Sequence, residues 1–492
     1  MAPDSVLRLL RVLFGLLLLF PAAVGAAGPP GRPNVVFILA DDLGWRDLGC
    51  YGHPYHETPH LDRLAREGMR FTQAYAAAPI CSASRAALLT GRTPARLGFE
   101  FVTKEQAGGQ KQGQLLQSPS FTLDLPLAEV TVGEMLGGAG YRTGFFGKWH
   151  VSRHEGGYLG WSSTHGPRQQ GFAEGDATFG SHPYGYGKAA AAGAGADLPE
   201  GTFPADALTD RVLAFVREGR GRPFFLHWSH YYVHDPVQTR CRWLLEKYRR
   251  KVPAGVGARE VRAAYGAMVE ALDHEVGRLL RELEGLGLRE NTLVIVTSDN
   301  GGHPGYTANG PLRGGKWNLY EGGLRVPLLA RWPGRVPAGR ESAEPVAGWD
   351  LFETLREVGG AREDGVARDG RSLGALLRGE AWGGAPRPLV WHFPYYHPET
   401  RFAQAPARTG VDDWAVSQTR PQSAIRVGRH KLLHFYEEGR DELYDLEADP
   451  GEQRDLASAQ PGQAGVLRRQ LEEALRAVQA RLPVRSAGRG GL

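Results

Sequence analysis

A cysteine at position 81 opens the run Cys81-Ser82-Ala83-Ser84-Arg85. The small and apolar stretch Ala86-Ala87-Leu88-Leu89-Thr90 follows, closed by Gly91, and predicts a short helix that begins at the cysteine. The first turn of a helix presents unpaired backbone N–H groups and the positive end of the peptide dipoles, so a side chain there faces a place suited to an anion. Arg85, one turn along, adds a fixed positive charge. A tetrahedral oxyanion, sulfate or phosphate, fits that setting. On its own the pattern describes a small buried filler at least as well, because a cysteine beside an apolar helix usually packs rather than reacts.

Four further polar groups follow short β-prone runs. Asp41-Asp42 follows residues 34–40, Lys148-Trp149-His150 follows 141–147, His230 and His234 follow 223–228, and Asp299-Asn300 follows 292–298. In an open parallel sheet the carboxyl ends of the strands share one rim, and binding sites form there. Asp or Asn after a strand is commonly a turn former, but four such groups on one rim, with Cys81 besides, point to a site. Asp41, Asp42, Asp299 and Asn300 offer only hard oxygen donors, three of them anionic, which suits Ca²⁺ or Mg²⁺ and not zinc. A cation there would neutralise the oxygens of an incoming anion. His150 and His234 are suited to proton transfer, and Lys148 and Lys316 to holding negative charge or protonating a leaving oxygen. Lys316 lies in the basic, Gly-rich segment 311–323, where glycine lets backbone approach an anion closely; composition alone reads equally as a surface loop.

The elements that must position these residues alternate, strand with helix, from residue 34 to about 355. That order predicts an α/β domain with a largely parallel sheet, its last strand at 326–331. The clearest helix follows Gly257, where Val261, Tyr265, Met268, Leu272, Val276, Leu279 and Leu283 step by three or four residues and share one face. Thr131 and Glu134 form a capping box ahead of a short helix that ends near Gly140. Residues 103–126 and 152–203 read as irregular, the second segment carrying an alanine- and glycine-rich run at 188–196; insertions of that length commonly frame a pocket. From about residue 385 the pattern becomes an antiparallel meander, with strands at 424–427, 431–436 and 442–446 and a closing helix at 465–481. The aromatic run 391–397 reads either as a stacking surface or as packing between domains.

Arg8 and Arg11 precede an apolar run from Val12 to Phe20 and the small residues 22–27, the layout of a signal peptide cleaved near residue 26. The expected organisation is therefore a signal peptide at 1–26, a catalytic domain at 27–384 and an antiparallel-sheet subdomain at 385–492. The apolar run is short for a bilayer span, so a secreted or periplasmic protein with no membrane attachment after cleavage is expected. Three cysteines allow at most one disulfide, between Cys50 and Cys241 if Cys81 is the free thiol. None of the five asparagines lies in an Asn-x-Ser/Thr sequon, which favours a bacterial exported protein over a lysosomal one. A formal net charge of +4 is too slight for a nucleic-acid footprint, so no nucleic-acid partner is expected.

The blocks NVVFILADDLGWRDLGCYG (34–52), CSASRAALLTGR (81–92), GKWH (147–150), SDNGG (298–302) and LRGGKWNLYEGGLRVP (312–327) resemble the type I sulfatases. These are the formylglycine-dependent, arylsulfatase-like members of the alkaline phosphatase superfamily. ELYDLEADPGEQRDL (442–456) is similar to that family's closing hairpin. The resemblance implies an α/β fold with a large mixed, mostly parallel sheet flanked by helices, and a smaller C-terminal α+β subdomain of antiparallel strands and one helix. It implies hydrolysis of sulfate esters, with sulfated carbohydrate as the natural substrate. It further implies that a formylglycine-generating maturation enzyme oxidises Cys81 to 3-oxoalanine, whose hydrate attacks sulfur. Asp41, Asp42, Asp299, Asn300 and residue 81 would bind Ca²⁺, and Arg85 would support the modified residue. Lys148, His234 and Lys316 would grip the sulfate and help the alcohol leave, and His150 would aid the second step. His234 is preferred to His230 because Val233-His234-Asp235-Pro236 is similar to the family's His-x-Pro segment. Two positions depart from the family pattern: Ala83 stands where the maturation motif has proline, and Arg46 where the family has glycine. Two other readings remain open, a phosphate or phosphonate ester hydrolase on the same fold and a noncatalytic sulfated-glycan-binding protein in which Cys81 stays a thiol.

Overall fold

The strand that opens the described chain, NVVFILA, is buried at every position, as an apolar run must be when both faces of its sheet are covered. The computed structural model describes residues 31–103, 114–179, 198–218, 221–307, 309–383, 386–396 and 419–486. The expected signal peptide, the 188–196 run and His397 lie outside the described residues. In chain order the strands are β1 (Asn34–Ala40), β2 (Met69–Tyr75), β3 (Leu116–Gln117), β4 (Arg142–Gly147), β5 (Phe224–Ser229), β6 (Thr292–Ser298), β7 (Arg325–Arg331), β8 (Arg340–Ser342), β9 (Val346–Ala347), β10 (Leu389–Phe393), β11 (Gln422–Val427), β12 (His430–Phe435), β13 (Arg440–Asp445) and β14 (Val484–Arg485).

The main sheet runs β4-β5-β1-β6-β7-β2-β8, with β9 also on β2. β4, β5, β1 and β6 are parallel, and β7 alone runs antiparallel to its neighbours β6 and β2. The fold is thus the large, mostly parallel mixed sheet with a C-terminal antiparallel sheet that was expected, β10 to β13 forming the second sheet. Two strands match the sequence reading to the residue, β1 and β6. β2 is a strand that the reading lacks: Arg70, Thr72 and Gln73 interrupt its apolar run, and three of its seven positions are only half-buried.

Alternate residues of β1 enter opposite cores, as period-two geometry requires. Val36, Ile38 and Ala40 join the face covered by the helix Arg259–Gly285, through Tyr265, Met268, Leu272, Val276, Leu279 and Leu283. Val261, expected on that stripe, is instead 40% exposed, because it lies in the first turn. Val35, Phe37 and Leu39 join the opposite face with the helices Cys81–Thr90, Val132–Gly138 and Asp350–Gly359. The capping box of Thr131 and Glu134 is formed in both directions. All three cysteines are free thiols, so the Cys50–Cys241 pairing does not form. The two sit in separate apolar clusters: Cys50 packs on the core beneath β1, and Cys241 lies with Leu244, Tyr248 and Val252.

The C-terminal sheet packs one face on the helix Pro461–Ala477, burying Ile425, Leu432 and Leu443 against Leu467, Leu471 and Leu475. Its other face, with Trp391, Phe393 and Leu433, meets Ile80, Ala83, Trp317 and Leu319, the residues that flank Cys81 and Lys316. Trp391 donates its indole N–H to the Ala76 carbonyl (2.9 Å). The aromatic run from Trp391 to Tyr395 is therefore packing and not a stacking surface.

A buried ion network fastens this contact. Lys431 pairs with Glu321 and Glu452, each at 2.9 Å, and Glu321 also holds Arg325 (2.6 Å) and accepts from Tyr75 Oη (2.7 Å). Burial raises both carboxyls; for Glu321 the charges of Lys431 and Arg325 overcome it, whereas Glu452, facing Glu321, is pushed up to about 7. Because the folded-state pKa of Glu452 lies above its ordinary 4.5, the folded protein holds a proton that the unfolded chain releases, and this group's contribution to stability falls as pH rises across that window. Lys431→Met strands the two carboxylates and is expected to cost about 3 kcal/mol in urea unfolding at pH 8. The cost is expected to be smaller at pH 5, where Glu452 is protonated; equal losses at both pH values would contradict the shared-lysine description.

Candidate active site

Strand register brings the polar residues together. β1 pairs with β6 from Asn34 opposite Thr292 to Ala40 opposite Ser298, which sets Asp41-Asp42 beside Asp299-Asn300. Leu39 and Gly147 both lie opposite Ser229, which sets Lys148 on the same rim. Gly147 is required there: it has φ +104°, and a Cβ would lie 1.9 Å from the Ser229 carbonyl oxygen, to which the Lys148 N–H donates at 2.9 Å. Trp149 turns into the core and donates to the His165 carbonyl (2.9 Å), with Lys148 and His150 on either side of it. Asp42, His150 and Trp317 adopt left-handed φ values of 62°, 59° and 87°. Each costs roughly 1–3 kcal/mol in a non-glycine residue, strain of the kind that collects at functional sites.

Cys81 is the first residue of the helix Cys81–Thr90 and is 2% exposed; the preceding Ile80 supplies no side-chain cap. Its Sγ lies 3.8 Å from Asp42 Oδ1. Arg85 reaches across the rim. Its Nε and Nη2 hold Asp299 Oδ2 at 2.9 and 2.8 Å, Nη2 is 3.3 Å from Asp41 Oδ1, and Nη1 donates to the Lys148 carbonyl (2.8 Å) and Ser229 Oγ (2.5 Å). Lys148 Nζ grips both oxygens of Asp41 at 2.9 and 2.7 Å. Lys316 Nζ donates to Asp42 Oδ2 (2.7 Å) and lies 3.2 Å from His234 Nε2. His234 Nδ1 sits 2.7 Å from the Asp235 carbonyl, which accepts its proton and leaves Nε2 to accept from Lys316.

Three buried carboxylates, Asp41, Asp42 and Asp299, thus face three buried cations, Arg85, Lys148 and Lys316. Burial raises Asp41 and Asp42, but Lys148, Lys316 and His234 overcome it and hold both below the usual carboxylate range. Burial pushes Asp299 up to about 6 against the pull of Arg85. Burial also pushes the Cys81 thiol up, the opposite of an activated thiolate, and burial together with the Lys148 charge keeps His150 neutral.

The donor chemistry fits a hard divalent cation. Asn300 Nδ2 donates to Asp42 Oδ1 (2.7 Å) and to the Gly301 carbonyl (3.0 Å), while its Oδ1 is buried with no donor. Ligand atoms of Asp41, Asp42, Cys81 and His234 lie within 4.8 Å of one another. An orphaned amide oxygen among carboxylates is what a Ca²⁺ site needs. A cation there gives the balanced charge set a net positive charge, suited to an oxyanion.

The structure brings Asp41, Asp42, Cys81, Arg85, Lys148, His234, Asp299, Asn300 and Lys316 into one contiguous network. His150 stands at its edge, with Nδ1 buried and unpartnered. His230 points elsewhere, accepting from the Tyr232 N–H (3.0 Å) and facing Asp206 at 3.7 Å. Arg46 lies outside the network and donates to the Gly52 and Gly310 carbonyls. Ser229, whose hydroxyl links Arg85 to the Lys148 carbonyl (2.7 Å), is absent from the sequence reading. A serine that ends a strand carries no signal of its own.

This fold and rim define a hydrolase acting on esters of a tetrahedral oxyanion. Comparison with known proteins narrows the class. The Sulfatase family profile matches residues 33–361, and that of the N-sulphoglucosamine sulphohydrolase C-terminal region matches 315–481. Human arylsulfatase A is 35% identical over 91% of this chain and 87% of its own length. The N-acetylgalactosamine-6-sulfatase of Canis lupus familiaris is 35% identical over 79% of this chain and 73% of its own. Among solved structures, Ps i-CgsB in complex with k-i-k-neocarrahexaose is 28% identical with a TM-score of 0.68, over 90% of this chain and 93% of that one. The chain belongs to the sulfatase family, as a type I sulfatase of the alkaline phosphatase superfamily, and is a sulfuric ester hydrolase. Arg85→Met would leave Asp41 and Asp299 without their shared partner and is expected to cost about 3–5 kcal/mol in denaturant unfolding; a loss under about 1 kcal/mol would show that the strand ends hold without it.

Proposed function

We propose that this chain hydrolyses sulfate esters of carbohydrates through formylglycine at position 81, with Ca²⁺ held by Asp41, Asp42, Asp299, Asn300 and residue 81. The observation that carries the reading is the setting of Cys81: uncapped helix start, Asp42 beside it, and a thiol that burial keeps protonated. A cysteine so placed is a poor nucleophile as it stands. The aldehyde made from it by a maturation enzyme supplies, as its hydrate, an oxygen nucleophile and a second hydroxyl through which sulfate departs without attack by a separate water. A bound Ca²⁺ supplies positive charge at the sulfate oxygens.

The remaining work falls to the chain's own side chains. Lys148 and Lys316 flank residue 81 from β4 and from the 311–323 segment and hold the anion. Lys316 gives a proton to the leaving oxygen and regains one from solvent, and His234 Nε2, which accepts from Lys316 Nζ at 3.2 Å, orients the ammonium. His150, held neutral, accepts a proton in the second step. Arg85 fixes the positions of Asp41 and Asp299. Sulfated carbohydrate is supported by a relative named N-acetylgalactosamine-6-sulfatase and by a similar structure solved in complex with k-i-k-neocarrahexaose. We assign residues 27–384 to the catalytic domain and 385–492 to a subdomain that buttresses Lys316. Among the described residues no helix is long and apolar enough to cross a membrane, and we propose export after removal of residues 1–26.

Two measurements test this reading. Cys81→Ala is expected to lower sulfate release from an aryl sulfate by at least about 1000-fold, with the matured parent enzyme preferring aryl sulfate to aryl phosphate. Retained release, or preference for phosphate, would overturn it. Ca²⁺ at about a hundredfold excess over its Kd is expected to stabilise the parent by about 2.7 kcal/mol and to lose that effect in Asn300→Ala; equal stabilisation of both would remove Asn300 from the site.

A further inference from the structure

The groups around residue 81 are assigned to the sulfate and its bridging oxygen, and with the 391–395 aromatics buried, none of the groups described so far is assigned to the ring of the departing alcohol. The segment after His150 offers a candidate. His150, His154 and Tyr158 are spaced four residues apart, and their rings form a ladder. His150 and His154 have centroids 5.4 Å apart, and His154 meets Tyr158 edge-to-face at 5.3 Å. The ladder leads from the buried rim to the surface, where Tyr158 is 58% exposed. Among the described residues Tyr158 is the one aromatic among the strongly exposed large apolar side chains.

Its exposure comes from a fixed turn. The Glu155 N–H donates to the Gly160 carbonyl (3.3 Å), the Gly160 N–H to the Gly157 carbonyl (3.0 Å), and a Cβ at Gly160 would lie 1.8 Å from the Glu155 carbonyl oxygen. Leu159, next to the tyrosine, is buried in the main core and anchors the turn. Burial raises the phenol pKa above the ordinary tyrosine value, with the rim charges of Lys148, Cys81, Asp41 and Lys316 also acting on it. A ring thus stands at the solvent end of a ladder that begins at His150, fixed at its base by the turn and more than half exposed. An aromatic with little side-chain entropy to lose is well suited to such contact.

We propose that Tyr158, positioned by His154, is the platform on which the six-membered ring of the leaving alcohol stacks, and so a specificity-determining residue of this enzyme. The proposal rests on the sulfatase reading and adds where the non-sulfate part of the substrate lies. Recognition is then divided, with charge at the bottom of the pocket reading the sulfate and the flat face of Tyr158 reading the ring attached to it.

The test is steady-state kinetics of the matured enzyme with N-acetylgalactosamine 6-sulfate and 4-nitrophenyl sulfate, which both carry a six-membered ring, alongside inhibition by inorganic sulfate, which carries none. Tyr158→Ala is expected to raise KM about tenfold for a ring-bearing substrate that the parent turns over, with kcat and the sulfate inhibition constant within about twofold. Tyr158→Phe, which keeps the ring and loses the hydroxyl, is expected to keep KM within about twofold of the parent. Unchanged KM in Tyr158→Ala, or a sulfate inhibition constant that rises in step with KM, would overturn the platform. An equal loss in both variants would move the role from ring to hydroxyl and overturn it as well. Absence of turnover by the parent on every sulfate ester overturns the functional reading and this one with it, whereas turnover with unchanged KM overturns this one alone.

Discussion

One guanidinium ties the ends of four strands. Arg85 reaches from the Cys81 helix to Asp41 after β1, the Lys148 carbonyl after β4, Ser229 at the end of β5 and Asp299 after β6. All these groups are buried, where an unpaired charge costs several kcal/mol and a planar fork of five donors can satisfy several acceptors at once. The same side chain fixes the helix that carries residue 81 against the acidic rim. The position of residue 81 and that of the acidic groups proposed to hold a cation are thereby set by one set of hydrogen bonds, and a lysine, with a single point charge, could not span it.

The lysines depend on more distant parts of the chain. Lys148 follows a glycine that lets β4 lie against the Ser229 carbonyl. Lys316 sits in a segment whose end, at Glu321, is held through Lys431 and Glu452 by the C-terminal sheet. Trp317, next to Lys316, donates its backbone N–H to the Pro79 carbonyl just before the Cys81 helix (2.8 Å). Among the described residues the C-terminal region thus reaches the rim through packing and buried ion pairs and contributes none of the rim's polar groups itself. A glycine-rich loop that composition alone leaves undecided becomes rigid by this route.

The parts of the structure legible in the sequence are those encoded locally. β1 and β6 read correctly because both faces are covered and each carries an unbroken apolar run, Val35 to Ala40 and Leu293 to Val296, and the residues that leave them, Asp41-Asp42 and Asp299-Asn300, are visible as polar breaks. The Cys81 helix shows its start and its glycine stop. Partnerships between residues far apart in the chain leave no such trace. Lys431 with Glu321 is a contact across 110 positions and Arg85 with Ser229 one across 144, and each residue alone looks like an ordinary strand or helix polar group. β2 is hidden because it mixes polar and apolar residues, and Tyr158 because an exposed tyrosine in a glycine-rich turn is unremarkable until its neighbours in space are known.

The proposed chemistry requires residue 81 to act as an aldehyde and not as a thiol. The most direct test is the mass of the tryptic peptide from Phe71 to Arg85, taken from protein exported by its native host or produced with a maturation enzyme. The expected peptide is lighter by the difference between a thiol side chain and an aldehyde, with the change mapped to position 81 by fragmentation. An unmodified cysteine in protein that nonetheless releases sulfate would contradict it.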